Sequence, residues 1–342
     1  MSTAAPYAAQ RQRAWDAWLA LRQEPALEPD TPLIDPHHHL WDRGGHTYLP
    51  ADFAADVAAS GHRVLQTVYV ECLSEFRRTG PAALQPVGET EFVAGLSGLR
   101  TGPGGPSVAD GIVARADLSL GDAVQEVLDA HEQAGQGRLR GIRFASAFDT
   151  DPAIHKAYPT RAGMLREPEV HAGARCMARR GLSFDAWLFF HQLDDLYALA
   201  CACPDLAIVI DHCGAPIGIG PYADRRPEIF ETWRTALQPF AALPQVSLKF
   251  GGMAMPVAGF GWRSLDAPPD SEVLAQAWKP YFDVCLDIFG PQRCMFESNF
   301  PVDRTGCTYG SLWNAFKRLA APLSADERDA LMQGTARRVY RL

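Results

Sequence analysis

No apolar run in this 342-residue chain reaches the roughly 18 residues that a bilayer-spanning helix needs. The opening stretch, "MSTAAPYAAQRQRAWDAWLALRQEP", lacks an apolar core followed by a small-residue cleavage site, so no secretory leader is expected. Its "AWDAWLALRQ" reads as one amphipathic helix. Basic side chains number 32 against 40 acidic ones, and no basic cluster stands out, which argues against a nucleic-acid partner. There is no short-period repeat and no low-complexity tract. The eight cysteines are scattered among apolar neighbours. Cys201 and Cys203 are spaced CxC but lack a second pair to complete a structural zinc site. Buried thiols in a reducing, cytoplasmic setting are expected rather than a disulfide framework.

The apolar content, 47%, is enough for a substantial core, and the length suits a single large α/β domain. A recurring unit is visible: a short apolar, β-rich run ends in polar residues, and a helix-compatible stretch follows. The runs are Leu33–His39, Val64–Cys72, Gly111–Leu118, Leu139–Phe144, Leu182–Phe190, Leu206–Cys213, Val246–Gly252 and Arg293–Phe300. Near-continuous apolar runs fit strands buried on both faces of a parallel sheet. Stretches such as "GDAVQEVLDAHEQAG" supply the crossover helices. No GxGxxG follows the first run, which removes the main support for a dinucleotide fold. Eight units predict a (β/α)8 TIM barrel over residues 31–342, preceded by a helical extension over 1–30. Residues 145–180 and 214–235 are longer connections, placed to cover a site.

In such a barrel the active site lies at the C-terminal strand ends, where the chemically capable residues of this chain cluster. The first run ends in "PHHHLW". Alternation puts His37 and His39 on one face, His38 on the other, and Asp35 one layer below the pair. Glu71, Arg143, His191, His212 and Lys249 end later runs, and Glu297 and Asn299 share a face in the last. Arg143 is the expected grip for an anionic substrate, with Lys249 as a second positive contact. Trp41, Tyr69, Trp187 and Phe300 are expected as cavity wall. Single pieces have ordinary structural explanations, such as a buried, satisfied imidazole at His191 or an ion pair at Arg143. Their concentration at strand ends carries the functional reading.

The blocks "DPHHHLWD", "GIRF", "LSFDAWL", "DHCGAP" and "SNFPVD", in that order over about residues 33–342, resemble the amidohydrolase superfamily, and within it the amidohydrolase-2 branch of sugar and pyrone-dicarboxylate lactonases. The resemblance implies a hydrolase of a small, anionic or polyhydroxylated lactone. It assigns His37, His39 and His191 to a zinc or other divalent ion, with His212 among the catalytic residues. Related lactonases close the eighth strand with an aspartate before an aromatic and a proline. Here Asn299 stands in that place, and an amide is no general base. Asp303, Glu297 and Glu71 are the carboxylates left to serve. A metal-free site, with the histidines donating to the carbonyl oxygen, stays open beside the metal-bound one. The alternatives in function are a zinc-dependent decarboxylase of an aromatic or muconate-type acid and a non-catalytic metabolite-binding barrel. The expected partner is a small molecule, with no nucleic acid and no membrane. A homodimer is an expectation from barrel size alone.

Overall fold

The computed structural model describes residues 4–43, 46–96, 98–101, 105–151, 154 and 158–342, with side chains at residue 10 and from residue 12 onward. Its strands β1 (Pro32–His38), β2 (Arg63–Val70), β3 (Gly111–Arg115), β4 (Leu139–Arg143), β5 (Ser183–Ala186), β6 (Ile208–Ile210), β7 (Val246–Phe250) and β8 (Cys294–Phe296) form one sheet in chain order. Every neighbouring pair is parallel. Backbone bonds just past β8 close the ring onto β1: Asn299 N–H to His37 O at 2.8 Å, and His39 N–H to Phe300 O at 2.7 Å. This is the expected (β/α)8 barrel.

The intervening helices bury one stripe each. In Val124–Gly135 the buried positions are Val124, Val127, Leu128, His131 and Gly135, the three- and four-residue spacing of a helix face. In Ser271–Phe289 the Asp270 side chain accepts from Val273 N–H and satisfies an orphan donor at the start. The strands are apolar on both faces because helices cover the outside and a second core fills the inside. That inner core is Ile34, Val68, Val70, Val113, Val209 and Met295, joined by Ala336 and Tyr340 from the helix Thr335–Tyr340. Arg341 donates to Gly181 O and Arg140 O at the strand starts, so this helix closes the end of the barrel opposite the site.

The N-terminal helix Ala4–Leu19 lies against the loops after β7 and β8; Trp15 Nε1 donates to Arg304 O and Trp18 Nε1 to Leu265 O. All eight cysteines are unpaired, and seven are buried. Among the described residues no helix is long and apolar enough to cross a membrane.

Two expectations about the strands change. β5 stops at Ala186, and the chain then turns through the short helix Phe190–Gln192, so His191 does not sit at a strand end. The register of β1 against β2 shifts between Asp35 and His38: Asp35 pairs with Thr67 and His38 with Tyr69. Three steps on β1 thus meet two on β2, a bulge. Ile34 faces the inner core, and strict alternation would send His38 inward too. The bulge sends His37 inward instead and leaves His38 stacked on Phe53 of the outer helix Pro50–Ser60, ring centroids 4.2 Å apart. Asp35 therefore does not lie below the imidazoles. It faces outward, accepting from Ser298 N–H, Ser298 Oγ and Tyr309 Oη.

Candidate active site

The convergence begins at His37. Its ring lies 4.8 Å from that of His39 and 4.7 Å from that of His212, centroid to centroid. Glu297 joins two of the three: Oε1 accepts from His212 Nδ1 at 2.6 Å, and Oε2 lies 2.6 Å from His37 Nδ1. Oε2 is buried and has no aligned hydrogen bond of its own. The close packing depends on two glycines after β7. A Cβ on Gly251 would stand 2.3 Å from Glu297 Cγ, and one on Gly252 would stand 2.5 Å from His212 Cβ. His212 itself has φ 53°, with Cys213, Gly214 and Ala215 also left-handed. Such a run is costly for residues with a Cβ. It is held by His212 N–H donating to Glu297 Oε1 at 3.1 Å.

Two fixed cations bracket His37. Arg143 Nη1 lies 3.3 Å from Nε2, and Lys249 Nζ lies 3.2 Å from Nδ1. Both can only donate, and a neutral imidazole has one lone pair. The carboxylate oxygen 2.6 Å from Nδ1 favours a proton there by charge, which leaves the Nε2 lone pair facing Arg143. Burial, then the charge of Lys249, holds the ring well below the usual histidine range, so it is neutral. His39 is neutral for the same first reason, burial, followed by Arg143. Its Nδ1 donates to Val70 O at 2.7 Å, so its Nε2 is a bare acceptor. That Nε2 lies 3.2 Å from His37 Nε2 and 3.2 Å from Asn299 Oδ1. Asn299 has its amide nitrogen on Asp303 Oδ2 at 2.5 Å, which turns its oxygen toward the histidines.

His39 Nε2 and Asn299 Oδ1 are thus acceptors 3.2 Å apart with no hydrogen between them, and His37 Nε2, which Arg143 Nη1 approaches, lies 3.2 Å from His39 Nε2. Ligands of one tetrahedral ion with bonds of about 2.0–2.1 Å stand roughly 3.3 Å apart, which matches these spacings. A wider set, His37, His212 and Glu297, brings ligand atoms within 4.8 Å of one another. Four buried carboxyl groups, Glu71, Asp185, Asp211 and Glu297, stand with two buried cations, Arg143 and Lys249, around these rings. Asp303, whose carboxyl burial pushes up to about 7, stands outside that count. This donor set can hold a divalent metal ion.

Of the residues singled out from sequence, His37, His39, His212, Asn299, Asp303 and Glu71 meet at the barrel mouth. His191 does not. Its side chain is 32% exposed, and Nε2 lies 2.9 Å from Phe148 O, so its assignment as a metal ligand is corrected. Lys249 is fully buried between Asp185 Oδ2 at 2.7 Å and Asp211 Oδ1 at 3.1 Å. Burial opposes its charge, but Asp185, Asp211 and Glu297 outweigh it and hold the ammonium above its ordinary range. It braces the site and cannot also grip a substrate. Tyr69 faces outward, its hydroxyl donating to Glu89 Oε1 at 2.7 Å, and is no cavity wall. Arg143 is largely engaged within the protein: Nε donates to Glu71 Oε1 at 2.7 Å and Nη2 to Tyr158 Oη at 2.8 Å and to Glu71 O. Trp41 is buried beside His39, ring centroids 6.1 Å apart, and Trp187 stands edge-on to His212 at 4.9 Å.

Asp185, Asp211 and Tyr158 were missed from sequence. Asp185 was findable, because it is the one carboxylate inside the apolar run Leu182–Phe190. Asp211 was hidden beside the more obvious His212. Nothing local marks Tyr158 in its long connection.

The Amidohydrolase family model (Amidohydro_2) matches residues 34–342. This chain is a member of the amidohydrolase family. It is thereby an enzyme of the hydrolase class, which sets aside the non-catalytic barrel. An uncharacterized protein of Sinorhizobium fredii is 32% identical to this amidohydrolase over 335 residues, 92% of this chain and 99% of the relative. A protein named L-fucono-1,5-lactonase, from Burkholderia multivorans, is 30% identical over 319 residues, 90% of this chain and 96% of that one. Among solved structures, an amidohydrolase from Burkholderia multivorans with bound zinc superposes with a TM-score of 0.69 at 25% identity, over 91% of this chain and 100% of that one.

Proposed function

We propose that this amidohydrolase opens a small lactone by adding water across its ester bond. The observation that carries the reading is the His212–Glu297 pair. A carboxylate fixed on Nδ1 at 2.6 Å fixes the tautomer and turns Nε2 toward the cavity as a proton acceptor. It also stabilises the imidazolium that forms, which the missing strand-eight aspartate would otherwise have no substitute for. Water's proton goes to His212 Nε2 as its oxygen bonds the carbonyl carbon. The ring C–O bond then breaks, and the departing alkoxide takes the proton back from His212. Arg143, in contact with His37, sets a fixed N–H donor beside the reacting carbonyl. We place a divalent ion on His39, Asn299 and His37, the last with its Nε2 released from Arg143; there it would polarise the carbonyl and supply a water that ionises near pH 7. The 30% identity to a protein named a lactonase supports the substrate class. The eight unpaired thiols support a reducing, cytoplasmic setting.

The test is turnover on a panel of neutral and carboxylated lactones, before and after chelation and zinc replacement. Hydrolysis of at least one class is expected. Silence on every lactone, with carbon dioxide released from an aromatic acid, would replace this reading.

A further inference from the structure

The hydroxyl of Tyr158 sits between two buried charged groups of the site. It accepts from Arg143 Nη2 at 2.8 Å and donates to Glu71 Oε1 at 2.9 Å. Glu71 and Arg143 are themselves paired at 2.7 Å through Nε, with Nη2 also on the Glu71 carbonyl. The other carboxylate oxygen, Glu71 Oε2, is buried with no hydrogen-bond partner. Arg143 and Glu71 thus offer a donor and an acceptor side by side, with their charges already balanced. A group that fits must accept and donate at once, as a hydroxyl does. A carboxylate could accept from the guanidinium, but it would meet the Glu71 charge at contact distance in a buried setting, where like charges repel strongly.

We infer that Arg143 and Glu71 form a subsite that reads a hydroxyl of the substrate ring, and that Tyr158 is its internal occupant, displaced when the substrate arrives. The position favours this. Tyr158 comes from the long connection after β4 and is only partly buried, whereas Arg143 and Glu71 lie beneath it on the ends of β4 and β2. The site is otherwise sealed, with His37, His39, Arg143, His212 and Asn299 each no more than 4% exposed. Entry requires some side chain to give way, and a phenol already satisfying the substrate's hydrogen bonds makes that exchange nearly even in hydrogen-bond count. The substrate class that follows is a neutral, hydroxyl-bearing lactone rather than a dicarboxylate.

The inference rests on the lactonase reading, and binding separates the two. Isothermal titration of the full-length protein with a non-hydrolysable polyhydroxylated lactam and with a carboxylated lactam of similar size needs no turnover. The neutral ligand is expected to bind at least tenfold tighter. Tyr158→Phe keeps the wall but removes the competing hydroxyl, and should tighten the neutral ligand about threefold or more without helping the carboxylated one. Glu71→Gln should narrow or reverse the preference. Tighter binding of the carboxylated lactam by the unmodified protein would overturn the inference. So would weaker binding of the neutral lactam by Tyr158→Phe, because the phenol would then be a direct ligand. Lactone turnover with the opposite binding preference would sink the subsite alone. The expected preference without any turnover would sink the hydrolysis alone.

Discussion

Asn299 Nδ2 donates to Asp303 Oδ2 across 2.5 Å, so the carboxylate absent from the end of the eighth strand stands directly behind the amide that replaced it. Asp303 Oδ1 accepts from Ala254 N–H at 2.6 Å, which fixes it there. The amide separates this acid from the histidines and turns an oxygen toward them.

Asn299→Asp would set two carboxyl groups in contact. Like charges push one pKa up, and burial already pushes Asp303 up to about 7. The variant should therefore be destabilised by about 1–3 kcal/mol at pH 8, the range for an unsatisfied buried polar group, and less at pH 5.5, where the pair holds its shared proton. Thermal melts at both pH values check this. An equal loss at both would show that the two carboxyls do not interact. The pH profile of turnover should shift with it.

Glu297→Gln leaves one acceptor oxygen where two stood and sets an NH2 donor against the other ring, so His212 Nδ1 and His37 Nδ1 can no longer both be held. Outer-sphere partners of this kind commonly cost 10–100-fold in metal affinity or activity when changed, and a loss of at least 100-fold in kcat/KM is expected here because two rings lose their orientation. Metal titration alongside kinetics divides the two effects. His191→Ala should leave metal affinity unchanged. A fall in zinc stoichiometry in that variant would restore His191 to the metal set.

Gly252→Ala adds a Cβ 2.5 Å from His212 Cβ at a backbone φ of +67°. Left-handed strain alone costs about 1–3 kcal/mol, and His212 must also move. Lower stability by chemical denaturation, together with a loss of kcat, is expected. A variant that is less stable but fully active would show that His212 tolerates displacement.

His131 is buried, with Thr90 Oγ1 at 2.8 Å and Arg115 O at 2.9 Å on its two nitrogens. Burial lowers its pKa to about 4, against an ordinary value of 6.5. Between these values the unfolded chain binds the extra proton, so this group makes stability rise with pH from about 4 to 6.5 and plateau above. His131→Gln should flatten the stability–pH slope in that window by up to about 1.4 kcal/mol per pH unit. Denaturant titrations at pH 4.5, 5.5 and 6.5 measure it, and an unchanged slope would mean that His131 titrates normally.

The barrel was legible because its strands read as eight apolar runs, and alternation put His37 and His39 on the face opposite His38, as the structure has them. Asp35 was misplaced because a bulge changes parity without leaving a mark in composition. His191 was misplaced because an apolar run, "LSFDAWLFF", continues past the last strand residue into a turn. Lys249 and Tyr69 showed the right chemistry at the right height, but their orientation was settled by carboxylates on other elements, Asp185 and Glu89. Such cross-chain pairings have no local signature. Tyr158 belongs with them.

Tyr340 extends up the barrel axis until its hydroxyl meets Asp185 Oδ2 at 2.6 Å, and Asp185 holds Lys249 beside His37. The ribosome makes this residue after all eight strands. A nascent chain halted short of the helix Thr335–Tyr340 would carry every histidine of the site, yet leave the axis unplugged and the Asp185–Lys249 pair open to water from below. The last helix to be made thus lays the floor beneath the chemistry.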